Sequence, residues 1–163
     1  VNVADIARYA YAAGFRGRDL LTAVAIALGE SGGNPDAAGD VGLQTKTWGP
    51  SIGLWQIRSI KGQTGTGGAR DASQLRDPAF NARSAYHLFT ARGSFRDWTV
   101  YKKGIYKRYL SQARQAIDSL GDKIGALPVG TDLSLLDDEE AGTSEEEVRM
   151  IYRELQGRDP TED

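Results

Sequence analysis

Residues 1–120 hold a single glutamate, Glu30. It follows the most apolar stretch of the chain, Leu20 to Leu28, at a point where Gly29, Gly32, Gly33 and Pro35 end any helix. A stretch apolar on all sides is buried, and a helix C-terminus presents the negative end of its dipole. Both conditions favour the neutral carboxyl and raise its pKa, which suits a proton donor working near neutral pH. Two further carboxylates occupy the next loop. Asp36 reads as a turn residue after Pro35. Asp40 precedes the loop that leads into Ile52-Gly53-Leu54-Trp55-Gln56-Ile57, which makes it the candidate second acid.

Other chemistries are closed off by composition. The 163 residues include no Cys, which excludes disulfide scaffolds, thiolate zinc sites and cysteine nucleophiles. The one His, His87, excludes a His-rich metal cage, and on its helix it reads as a partly exposed residue. We expect neither metal nor cofactor. Thr64-Gly65-Thr66-Gly67-Gly68 lacks the Gly-Lys-Ser/Thr ending of a phosphate loop and follows no strand, so it reads as a flexible rim.

The elements that must position these residues are mostly helical. Asn2 caps a helix over 3–13 that Gly14 ends, and Asp19 reads as the cap of a buried helix over 20–30. Asp77-Pro78 starts a third helix running to about Ala91. A fourth, from about Ile105 to Leu120, shows Ile105, Tyr109, Ala113, Ala116, Ile117 and Leu120 on one face. Residues 36–75 are irregular and Gly-rich, with room for a small hairpin within 40–58. The composition shifts after Leu120, so the boundaries expected are a domain over 1–120 and an acidic arm over 121–163 with a short helix from Ser144 to Leu155. The stripe Val148, Ile151, Tyr152 and Leu155 is expected to dock on the first domain or a neighbour.

Two segments carry a resemblance. Ala27-Leu28-Gly29-Glu30-Ser31-Gly32-Gly33-Asn34-Pro35, then Gly49-Pro50-Ser51-Ile52-Gly53-Leu54-Trp55-Gln56-Ile57, resemble the lysozyme-like, SLT-type lytic transglycosylase superfamily. Pro78-x-x-Asn81-Ala82 and Trp98-Thr99-Val100-Tyr101-Lys102-Lys103-Gly104 resemble two later family segments, with Lys102 where the family often has Asn. The resemblance covers roughly residues 5–120. It implies a lysozyme-like helical fold and Glu30 as the catalytic acid. It also implies Ser51 and Gln56 hydrogen-bonding the substrate's acetamido or lactyl groups, Tyr101 holding the Glu30 rotamer, and Trp48 and Trp55 stacking on sugar faces.

The implied reaction is cleavage of the β-1,4 bond between N-acetylmuramic acid and N-acetylglucosamine in bacterial peptidoglycan. SLT-type enzymes close a 1,6-anhydro ring on the muramyl product, with the same carboxyl as acid and then base. The alternatives are a hydrolytic muramidase with the same acid, an inert glycan-binding relative, and a basic scaffold or DNA-contacting virion protein.

Charge agrees with an anionic polymer as partner. Residues 1–120 carry 16 Lys and Arg against 9 Asp and Glu, a net of +7, and residues 121–163 carry 4 against 13, a net of -9. Lys102, Lys103, Lys107 and Arg108 interleave with Tyr101, Tyr106 and Tyr109, but no recognised nucleic-acid module accompanies them, and nucleic acid is not the expected partner. Glycan strands are, with other domains of a larger parent protein, because the chain opens on Val rather than Met. No apolar run spans a membrane and no secretory signal opens the sequence. The variant Gly-Pro-Ser-x-Gly-Leu-Trp-Gln resembles versions in bacteriophage virion and actinobacterial proteins, so the expected setting is extracellular or virion-associated.

Overall fold

The computed structural model describes residues 1–125. The expected helix from Ser144 to Leu155 and all of the arm beyond Gly125 lie outside the described residues. Helix α1 (Val3–Ala13) is closed at its start by a reciprocal cap: the Asn2 side chain accepts from Asp5 N, and the Asp5 side chain accepts from Asn2 N. Gly14 ends it at φ 129°, where an added Cβ would meet the Tyr86 ring.

Helix α2 (Gly17–Ser31) begins earlier than the sequence suggested. Asp19 sits inside its first turn, where a carboxylate suits the helix dipole, and does not cap it. The N-cap position belongs to Arg16, whose guanidinium instead donates to Tyr11 O and Phe15 O at the end of α1. Every residue from Thr22 to Leu28 is buried, so α2 is the central rod of the fold.

Three short antiparallel strands follow: β1 (Ala38–Gly39), β2 (Trp48–Ile52) and β3 (Ile57–Ile60), in the order β1-β2-β3. The pairing Ala38 with Ile52 and Ser51 with Arg58 places Ser51 in the middle strand. Helix α3 (Pro78–Arg92) has Asp77 as N-cap and Pro78 at its first position. It is buried on nearly all sides, which corrects the reading of His87: that residue is 7% exposed.

A short α4 (Thr99–Lys102) leads to a 3-10 turn over Ile105–Tyr109 and then to α5 (Leu110–Leu120). The single helix expected over 105–120 is therefore two pieces that meet at Tyr109, whose φ of -108° and ψ of -1° break the helical run. Helices α1, α2 and α5 pack on one another, and α3 packs on α1. The fold is mostly α with a small three-stranded sheet.

One buried side chain ties sheet to helices. Asn81, on α3 and fully buried, accepts from Trp55 N at 2.8 Å and donates to Ile52 O at 2.8 Å and Leu75 O at 2.9 Å. All three partners are backbone groups in the buried interior, where polar groups need partners. Gly53 makes the approach possible: a Cβ there would collide with the Asn81 amide and stand 2.6 Å from Leu75 O, and its φ is 85°. The Trp55 indole extends the tie by donating to Ala23 O at 2.9 Å, in the middle of α2, and Trp98 donates to Trp55 O at 2.8 Å.

Candidate active site

Glu30 is the next-to-last residue of α2. The helix end around it is firmly set. Gly32 takes the left-handed conformation at φ 63° and donates to Leu28 O. Ser31 Oγ donates to Ala27 O at 2.9 Å and accepts from Gly33 N at 3.2 Å. Gly29 lets α4 and the turn after it close in, since a Cβ there would stand 2.6 Å from Val100 Cγ1 and 3.4 Å from Tyr109. The Glu30 side chain is half-buried, with no ion-pair partner among the described residues. Burial, followed by the negative charge of Asp40, raises its pKa from an ordinary 4.5 to about 7.

Asp40 is exposed and has a left-handed backbone, φ 55°. Asp is among the residues that tolerate this region, and here it starts the 3-10 turn Val41–Leu43. Ser51 Oγ donates to Asp40 Oδ2 at 2.6 Å. Ser51 itself is 2% exposed, and its hydroxyl proton is committed to Asp40. Asp36, by contrast, lies in an exposed turn with its N–H on Asn34 Oδ1, as the sequence suggested.

The other sequence candidates divide. Trp55 is a correction: at 1% exposed, with its indole N–H on Ala23 O, it belongs to the core and offers no face to a sugar. Gln56 does not reach into a cleft with its amide N–H. Its Nε2 donates to Ala37 O and Gly53 O at 3.0 Å each, and its Oε1 lies against Gly39, where a Cβ would clash. Gln56 therefore clamps β1 to the turn after β2, from a backbone at φ 49° that a long side chain rarely adopts.

Trp48 is half-buried, with the Arg70 guanidinium 5.2 Å from its ring centroid. Tyr101 is half-buried on α4 and makes no hydrogen bond to Glu30 among the described residues. Its ring lies 4.9 Å from Tyr106, nearly parallel, and 5.7 Å from Phe95.

Two residues that the sequence reading passed over shape the site. Arg58, 4% exposed on β3, donates to Gly49 O through Nε and to Leu43 O at 2.6 Å through Nη2. It thus fixes the turn that Asp40 starts. Arg70, 3% exposed, donates to Arg58 O at 2.7 Å. An Arg between Ile57 and Ile60 on a short apolar strand was the available signal.

The loop over 64–68 is organised around one carboxylate. Asp71, fully buried, accepts from Gly65 N, Gly67 N and Ser73 N at 2.9 Å each and from Ser73 Oγ at 2.6 Å. Burial works against its charge, but these hydrogen bonds outweigh that and hold its pKa below the ordinary carboxylate value. The rim is a knot around a carboxylate. The loop N–H groups that could have cradled a phosphate are already taken.

A family profile described as a lysozyme-like domain (SLT_3) matches residues 7–100. The chain belongs to the lysozyme-like domain family. The match spans more than half of the sequence and takes in both Glu30 and Ser51. Membership of this family supports action on peptidoglycan, as a glycosidase or transglycosylase in general. No curated protein and no solved structure matches the chain. Among the described residues no helix is long and apolar enough to cross a membrane.

Proposed function

We propose that this lysozyme-like domain cleaves the β-1,4 bond between N-acetylmuramic acid and N-acetylglucosamine, with Glu30 as general acid. The observation that carries the reading is the Glu30 carboxyl, half-buried at the end of the buried helix α2 and raised to about 7. Such a group holds a proton at neutral pH and gives it to the leaving glycosidic oxygen as the C1–O bond breaks. The carboxylate left behind then takes the proton of the muramyl 6-hydroxyl, which attacks C1 and closes a 1,6-anhydro ring. No water is consumed.

Trp48 supplies a sugar-facing ring in this proposal, and Tyr101 lines the α4 side of Glu30. Ser51 and Gln56 act one step back, holding Asp40 and β1. Residues 1–120 are the working unit in this proposal, and the setting is the bacterial wall, met from outside the cell or from a virion.

A specific observation favours a second reading, hydrolysis. Asp40 is close enough to Glu30 for its charge to raise the Glu30 pKa, and Ser51 holds its carboxylate in place. A second carboxylate so placed suits activation of a water against C1, as inverting glycosidases require. Mass spectrometry of muropeptides from digested sacculi separates the two. Anhydro products, lighter by one water than the hydrolytic species, support the first reading. Products with only reducing ends support the second, and release of no muropeptide at all contradicts both.

A further inference from the structure

The basic-aromatic segment after Trp98 is not accounted for by the chemistry at Glu30. Residues 98–117 carry Lys102, Lys103, Lys107, Arg108 and Arg114 and no acidic residue. Lys103, Lys107 and Arg108 are exposed and make no ion pair among the described residues. They sit on the segment that packs against the end of α2: Val100 and Tyr109 press on Gly29, the residue before Glu30, and Tyr101 and Tyr106 of the same segment stack on each other. A cationic, aromatic-backed surface therefore adjoins the proposed acid.

We infer that this surface receives the free carboxylates of the peptide stems on the strand being cut. The argument rests on the proposed function. A muramyl residue carries its stem through the lactyl ether at C3, so a muramyl residue placed with its C1 bond at Glu30 brings a flexible anionic chain beside the cleft. Exposed lysines and an arginine suit such a chain, because their attraction is sequence-tolerant and long-ranged at low salt. The stem would thus lower KM on native wall without entering the bond-breaking step.

The test uses the full 163-residue chain and its triple variant Lys103→Gln, Lys107→Gln, Arg108→Gln. The substrates are sacculi freed of phosphodiester polymer and the same glycan strands stripped of stems by an amidase. Binding is read by co-sedimentation and turnover by fragment release. The expected result is that wild type binds stem-bearing strands more tightly by roughly three- to tenfold, the scale of a few exposed charge pairs. The variant should lose that preference, with kcat on stripped strands unchanged, and about 1 M salt should erase it in wild type.

Retention of the preference by the variant overturns the inference. So does equal weakening on both strands, or binding that a soluble phosphodiester polymer abolishes while the stems make no difference. Stem-dependent binding without cleavage of either strand supports the surface and contradicts the proposed function instead.

Discussion

Ser51 donates its hydroxyl to Asp40 at 2.6 Å across eleven residues of sequence, joining the middle strand of the sheet to the turn after β1. The bond sets a carboxylate on the sheet side of the molecule within electrostatic reach of Glu30 at the end of α2. Sheet and helix each contribute one acid, and the Trp55 and Asn81 ties hold the two layers at a fixed spacing.

A raised carboxyl pKa is also a statement about stability. Glu30 prefers its proton in the folded state, so the fold binds more protons than the unfolded chain between pH 4.5 and about 7. Stability from this group is fully present below 4.5 and is lost as pH rises through about 7. The loss is at most about 3 kcal/mol, less whatever solvent reaches this half-buried group. Glu30→Gln removes the penalty. Its melting temperature should match wild type at pH 4 and exceed it at pH 8, and equal melting temperatures at both would contradict the burial argument.

Asp40 contributes the smaller part of the Glu30 shift, after burial. Asp40→Asn keeps an oxygen for Ser51 and removes the charge. The alkaline limb of the pH–activity profile, where Glu30 loses its proton, should move to lower pH while staying above 4.5. With anhydro chemistry the maximal rate should fall modestly. A loss as severe as that of a Glu30 variant would assign Asp40 the base role of a hydrolase.

Asn81 is the strongest structural commitment of the sheet. Asn81→Ala removes the side-chain partner of Trp55 N, Ile52 O and Leu75 O in the core. The cost should be roughly 3 kcal/mol, or a fall of roughly 6–12 °C in Tm. Calorimetry across Asn81→Ala and Asn81→Asp would check it, and a change below about 1 kcal/mol in Asn81→Ala would show that water replaces the side chain.

Much of this was legible in the sequence, and the limits have physical causes. Helix α1 with its Asn2 cap, and α3 with Asp77 and Pro78, follow from local rules and came out within a residue. Glu30 stood out because a lone carboxylate closed an apolar run. The second motif turned out to carry structure as well. Gly53 and Trp55 fasten the sheet to α3 and α2, Ser51 holds Asp40, and the Gln56 amide N–H clamps the chain beside β1. A motif reports that its residues are constrained. Only the three-dimensional contacts say whether substrate or packing constrains them. Arg58 and Asp71 were missed because most of their partners are backbone groups, which residue types alone do not name.

The measurement that tests the central claim most directly is muropeptide release from purified sacculi by wild type and Glu30→Gln at pH 6, at equal concentrations and with both melts recorded. Glu30 as the proton donor predicts soluble muropeptides from wild type and a loss of two or more orders of magnitude in the variant, the scale of a removed general acid, with the fold intact. Release by folded Glu30→Gln at near the wild-type rate would contradict the account and move the acid elsewhere.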